Sequence, residues 1–224
     1  MSVASPEGDL MLRLAALSPA TIGHHPSARS LGPLRPLVAG TAMTGRCLPV
    51  RIRVPDASYV HLAVDAVEPG DVIVIACEGG GWRAPVGGII ATLLAERGAG
   101  GIVIDGPVAD SEEVAASGLP VFSRGRSVCT TYVDDGSGSL GRTIKVAGVS
   151  VARGDIVVGD DDGVLVIDPV VAAEQLPRWE AAEAQEADFI RQFLAGTPLG
   201  VLTGALAATH TDGRQSSSSH RRTK

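Results

Sequence analysis

The chain of 224 residues reads as a single α/β domain, with a parallel βαβ core followed by short antiparallel strands. Three observations predict this class. Two continuous apolar runs of strand length, Val72-Ile73-Val74-Ile75 and Gly101-Ile102-Val103-Ile104, lack the alternation of a half-exposed strand, so both are expected to be covered on each face. Between them lie a glycine loop, Glu78-Gly79-Gly80-Gly81-Trp82-Arg83, and a helical stretch from about Val86 to Arg97 ended by Gly98. Strand, helix and strand in that order make parallel neighbours. Third, from Gly141 onward the texture changes to short β-branched runs separated by tight turns.

The elements follow in order. Leu10 to Leu17 is a short amphipathic run, and Ser18-Pro19 opens a second helix near Thr21, Pro being tolerated in a first turn. Leu37 to Thr44 and Cys47 to Val54 are apolar and β-branched and read as strands. Tyr59 to Val67 places Val60, Ala63, Val64 and Val67 on one helical face, and Glu68-Pro69-Gly70-Asp71 turns into the first buried strand. Asp105-Gly106 is expected to end the second buried strand, and Ala109-Asp110-Ser111-Glu112-Glu113 to begin a short acidic helix. Strands are predicted at Leu119 to Phe122, Val128 to Val133, Thr143 to Val146, Val149 to Val151, Ile156 to Val158 and Val164 to Ile167. The segment Gly159-Asp160-Asp161-Asp162-Gly163 reads as a hairpin turn, and a helix from Pro169 to about Leu194 closes the fold. The expected organisation is a flexible N-terminus over 1–8, one domain over 9–208, and a disordered tail over 209–224.

Composition narrows the function classes. Hydrophobic residues at 45% supply a core, and an aromatic share of 3% means that Val, Ile, Leu and Ala must build it. A net charge of -6 argues against a phosphate backbone as the main partner, so no nucleic acid is expected. Cys47, Cys77 and Cys129 are widely spaced, with no CxxC pair, which argues against disulfides and structural zinc. The start lacks a basic region followed by a long apolar run, and no stretch of about 18 apolar residues occurs, so no membrane partner and a cytoplasmic location are expected.

Ligands of α/β folds lie beyond the carboxyl ends of parallel strands. Here two such ends lead into Glu78 to Arg83 and into Asp105 to Asp110, so both loops are expected to open on one acidic crevice holding Glu78, Arg83, Asp105, Asp110 and Glu112. The backbone N–H groups from Gly87 to Ile90, at a helix start, offer a seat for a substrate carboxylate. The glycine run matches neither GxGxxG nor a P-loop. The acidic residues after Ala109 also suit an ordinary first helical turn. Asp160 to Asp162 lacks the spacing of a calcium loop. His24-His25 is the only adjacent histidine pair, and its members point in different directions on a helix.

The run GGIIATLLAERGAGGIVIDGPVADSEEV, Gly87 to Val114, resembles the signature of the RraA-like proteins, which include class II 4-hydroxy-4-methyl-2-oxoglutarate / 4-carboxy-4-hydroxy-2-oxoadipate aldolases and regulators of ribonuclease E activity. The similarity extends through Leu37 to Thr44, Glu68 to Val74, Gly154-Asp155 and Asp162 to Val164, covering most of residues 18 to 204. The resemblance implies a swivelling β/β/α fold, assembly as a homotrimer or hexamer, and a site between subunits. It also implies a divalent metal, usually magnesium, that binds a small 2-oxo acid and takes up charge as a carbon–carbon bond breaks, in aldol cleavage to pyruvate or in oxaloacetate decarboxylation.

The family pattern is an acidic residue, twenty intervening positions, then Arg-Asp. Asp110 matches the metal-binding Asp, whereas Ala109 stands at the Arg position and Gly88 at the acidic one. The expected site is therefore Asp110, Arg83 and His25 as catalytic residues, Asp110 as metal ligand, and Gly87, Gly88, Ile89, Ile90 and Ala109 against the substrate. Three readings stay open: a lyase in which Arg83 or Arg124 replaces the missing cation; a different reaction on another carboxylated small molecule, with His24 or His25 as acid or base; and a non-catalytic regulator that binds a protein.

Overall fold

The computed structural model describes residues 6–79 and 81–211. In chain order the elements are α1 (Pro6–Ala15), α2 (Pro19–Gly23), β1 (Arg29–Ser30), β2 (Arg35–Pro36), β3 (Met43–Val54), α3 (Ser58–Ala66), β4 (Asp71–Gly79), α4 (Gly88–Glu96), β5 (Gly101–Val108), α5 (Ser111–Ala116), β6 (Val121–Arg126), β7 (Gly138–Leu140), β8 (Ile144–Val146), β9 (Val149–Val151), β10 (Ile156–Asp160), β11 (Gly163–Ile167), α6 (Pro169–Leu194), α7 (Leu199–Leu202) and α8 (Ala205–Thr211). One sheet runs β1-β11-β10-β3-β4-β5-β6-β2, with β7 added to β3, and β8-β9 form a separate hairpin. Strands β3, β4, β5 and β6 are parallel neighbours. The remaining pairings are antiparallel.

Strand β4 shows why an unalternating apolar run belongs at the centre. Ile73 and Ile75 face one core cluster with Leu48, Val50, Ile52, Ile102 and Ile104, beneath Val60, Ala63 and Val64 of α3, Ala91 and Leu94 of α4, and Val114 of α5. Val72, Val74 and Ala76 face the opposite cluster with Cys47, Val103, Phe122 and Val157, covered by Ile144, Val146 and Val151 of the small hairpin. Each fully buried aliphatic side chain contributes about 1.5–3 kcal/mol relative to exposure. A third cluster joins Leu14 of α1 and Ile22 of α2 to Ile156, Val158 and Ile167 and to Ala172, Leu176 and Trp179 of α6.

The structure corrects several expected boundaries. Leu37 to Ala42 forms no strand; the Asp161 carboxylate accepts the N–H of Gly40 at 2.9 Å and holds that segment as a turn. Val128 to Val133 is likewise no strand, and only the isolated bridges Asp56–Tyr132 and Ala84–Thr130 touch it. Strand β5 does not stop at Asp105-Gly106 but runs to Val108, and β4 continues through Glu78-Gly79, paired with Arg53 and Val54. The short strands β1, β2 and β7 were not signalled by any apolar run.

The residues to Trp179 form one compact unit, and those from Glu180 form a second. The first carries the α/β sheet. The second contains the end of α6 with α7 and α8, and exposes Phe189, Ile190, Phe193 and Leu194. Of the expected flexible segment 1–8, residues from Pro6 belong to α1, and of the expected tail 209–224, residues to Thr211 belong to α8. The remainder of both lies outside the described residues. Among the described residues no helix is long and apolar enough to cross a membrane.

Candidate active site

Beyond the end of β5, Asp110 takes a left-handed backbone conformation (φ 48, ψ 48), one that Asp tolerates better than most non-glycine residues. It stands at the start of α5, yet its side chain does not cap that helix. Instead Oδ2 accepts the backbone N–H of Gly88, in the first turn of α4, at 3.2 Å. A carboxylate there meets the positive end of the helix dipole and N–H groups that have no intrahelical acceptor.

Gly87 and Gly88 have a steric reason to be glycine. A Cβ at 87 would run into the Asp110 carboxylate, and a Cβ at 88 would lie 2.7 Å from Glu113 Cβ and 3.0 Å from Glu113 Oε2. The bare backbone at the start of α4 thus admits two carboxylates, one from the turn before α5 and one from α5. Together Gly88, Ile89, Thr92, Leu93, Asp110 and Glu113 line an open depression of about 600 Å³. Ile89 is 78% exposed at its rim.

The other expected site residues are distributed around it. Arg83 donates to the carbonyl oxygen of Thr130 at 2.7 Å, because the bridge between Ala84 and Thr130 carries its segment along that strip. Among the described residues it forms no ion pair with Asp110. Arg124 is engaged with Asp105, whose second oxygen accepts the N–H of Ala147 at 3.1 Å. Glu78 pairs with Arg51 at 3.1 Å. The expected single acidic crevice is therefore divided: Glu78 and Asp105 are neutralised by arginines, Glu112 is exposed on α5, and Asp110 lines the depression. Trp82 donates to the Arg126 carbonyl and does not fill it.

His25 is placed beside Trp179, in T-shaped contact with ring centroids 6.0 Å apart, and its Nδ1 accepts the N–H of Ser27. The structure does not bring it to Asp110. Of the residues expected against substrate, Gly88 and Ile89 line the depression, Gly87 lies against the Asp110 carboxylate, Ile90 packs against the first core cluster, and Ala109 is buried. Ala109 offers no polar group where an arginine would have carried five donors. Burial pushes the Cys77 thiol up to about 12, with the Asp105 charge adding to the effect.

Glu113, Thr92 and Leu93 were not singled out from the sequence. A signal for Glu113 existed: it lies three residues after Asp110, one turn along the same helical face.

The donor chemistry can be tested against a metal ion. Among the described residues no group of three or more His, Cys, Asp or Glu could hold one. That set does not suit zinc or a calcium cage. Magnesium retains several waters and binds through one or two carboxylates plus substrate, and Asp110 with Glu113 beside the glycine pair fits that sparse requirement.

Comparison with known proteins identifies the family. The chain is 33% identical over 134 residues to a protein of Halalkalibacterium halodurans named "Putative 4-hydroxy-4-methyl-2-oxoglutarate aldolase", covering 60% of this chain and 63%, less than two thirds, of that relative. It is 31% identical over 149 residues to a protein of the same name from Albidiferax ferrireducens, covering 63% of this chain and 82% of the relative. The crystal structure of Streptomyces coelicolor RraAS2, described as an unusual member of the RNase ES inhibitor RraA protein family, superposes with a TM-score of 0.69 at 24% identity. That superposition covers 85% of this chain and 99% of that one, and at this identity the likeness speaks for the fold. The RraA-like family, Aldolase/RraA, matches residues 17–166, a span that holds the parallel strands, the glycine pair at α4 and the Asp110 turn, and the chain belongs to the RraA-like family.

Proposed function

We propose that this chain is a cytoplasmic lyase that breaks a carbon–carbon bond in a small 2-oxo acid, by aldol cleavage to pyruvate or by decarboxylation of oxaloacetate, with a divalent metal at Asp110. One observation carries the reading: the Asp110 carboxylate, held in a left-handed turn, bonds the glycine start of α4 and lines an open depression beside it. Relatives named as aldolases support the reaction class.

Asp110 would hold a hydrated cation, which when bound supplies a Lewis acid for charge developing on the 2-oxo oxygen. The first-turn N–H groups of Ile89 and Ile90 would orient a substrate carboxylate, with the side chains of Ile89 and Leu93 along its apolar side. In aldol cleavage the C4 hydroxyl loses its proton, the C3–C4 bond pair passes to the pyruvyl half, and C3 regains a proton. A homotrimer or hexamer is part of the proposal, supported by the apolar side chains left exposed near the site, Ile89 and Leu93 among them.

The test is pyruvate release from 4-hydroxy-4-methyl-2-oxoglutarate and from oxaloacetate, with magnesium and with chelator. Chelator-sensitive turnover of either substrate is expected; none on either removes the lyase reading. A non-catalytic regulator is the second reading. It is favoured by one observation: the described residues bring no arginine or lysine into an ion pair with Asp110, since Arg83 and Arg124 are engaged elsewhere.

A further inference from the structure

The proposed function places the metal at Asp110 and gives Glu113, the second carboxylate of the depression beside α4, no part of its own. Glu113 is exposed, yet its side chain stands where a residue at position 88 would project, with Oε2 3.0 Å and Cβ 2.7 Å from that Cβ position. Glu112, its neighbour, does not line the depression. A side chain of any kind at 88 would displace Glu113 at its Cβ, which cannot swing away as a carboxylate tip can. The missing side chain at Gly88 therefore leaves the space into which the Glu113 carboxylate reaches, its Oε2 lying 3.0 Å from that Cβ position. This carboxylate and that of Asp110 share one neighbour, Gly88 at the start of α4, and Asp110 also lies against Gly87 just before it.

We infer that Glu113 is the second carboxylate of the site: a positioning residue, admitted by Gly88, that acts with Asp110 on a hydrated divalent cation. Two carboxylates set one helical turn apart and facing one backbone segment repel each other unless a cation lies between them. Magnesium-like ions, which keep much of their water, accept such a pair, one directly and one through a water. The inference rests on the proposed metal at Asp110, and it assigns Glu113 to that centre rather than to the solvated face of α5.

The test measures Mn2+ binding to the full chain by electron paramagnetic resonance, in parallel with metal-dependent oxaloacetate decarboxylation. Glu113→Gln keeps the shape and removes the charge; it should weaken Mn2+ binding about tenfold and lower turnover at subsaturating metal, with thermal stability unchanged. A relocation variant combines Glu113→Gly with Gly88→Asp, the glycine being needed to clear the Cβ overlap. It should recover affinity to within about threefold of the parent. Mn2+ binding lost in Asp110→Asn but unaltered in Glu113→Gln overturns the role of Glu113 and leaves the metal at Asp110 standing. Failure of the relocation variant to recover affinity, while it remains folded by circular dichroism, also overturns the inference. No Mn2+ binding by the parent chain at millimolar metal removes both readings together.

Discussion

The Asp110 carboxylate reaches out of its own turn to the backbone N–H of Gly88 at 3.2 Å, so one side chain joins the end of β5 to the first turn of α4. That bond gives the residue two possible roles, which a conservative change separates. Asp110→Asn retains an acceptor oxygen but loses the charge. It should lower metal-dependent pyruvate release at least about a hundredfold, while costing only about 1 kcal/mol of stability, as for a modified helix cap. Retained turnover alongside lowered stability would reduce Asp110 to a structural cap.

Gly87 and Gly45 offer a paired steric prediction. At Gly45 an added Cβ would strike the Gly70 carbonyl oxygen and lie 2.8 Å from Val72, where β3 meets the turn into β4. Backbone cannot retreat cheaply, so Gly45→Ala should destabilise by about 3 kcal/mol or more, read as a drop in denaturation midpoint. At Gly87 the obstacle is the tip of the Asp110 side chain, which can rotate away. Gly87→Ala should therefore keep most of its stability, change less than about 1 kcal/mol, and lose activity nearly as Asp110→Asn does. Comparable unfolding in both variants would show that Asp110 is clamped.

The sequence made the centre of the fold legible because burial on both faces leaves a mark: Val72 to Ile75 and Ile102 to Ile104 are apolar without alternation and lie in the parallel core. The edges left no such mark. Arg29–Ser30 and Arg35–Pro36 pair over two residues each, and no periodicity survives at that length. Leu37 to Ala42 misled for the opposite reason, since its β-branched and apolar composition is overruled by the long-range bond from Asp161 to Gly40. At the site, the strand ends pointed to the Gly87-Gly88 start and the resemblance to the RraA-like signature to Asp110. The engagement of Arg83 with Thr130 and of Arg124 with Asp105 could not be read from the sequence, because each depends on which strand lies alongside.

The three cysteines should separate by reactivity. Cys47 is buried and its thiol is pushed far up by burial, with Asp155 and Asp71 adding to the shift; burial pushes Cys77 up to about 12. Cys129 is exposed. Since the thiolate is the reacting form, a disulfide reagent at about pH 8 should label Cys129 quickly and the other two only on unfolding. Rapid labelling of more than one thiol in the native chain contradicts this packing.

Asp56 supplies a stability prediction with a definite sign. Only 3% exposed, its carboxylate accepts the N–H and hydroxyl of Ser58 at 2.9 and 2.6 Å, and the N–H groups of Asp134 and Ser137 at 3.2 and 2.7 Å. It thereby pins the start of α3 to the segment before β7. The bonds from Ser58, first the hydroxyl and then the N–H, hold its carboxyl well below the usual range. A folded pKa below the unfolded value of about 3.9 means that the stabilisation is fully present above that value and is lost as pH falls through the folded one. Asp56→Asn turns an amide NH2 toward N–H donors and should lower Tm at pH 7 by roughly 5–10 °C. Below about pH 4 the parent should lose Tm more steeply than the variant, so the two curves converge on acidification. Parallel curves from pH 7 to 3 would show that the charge of Asp56 contributes nothing to the folded state.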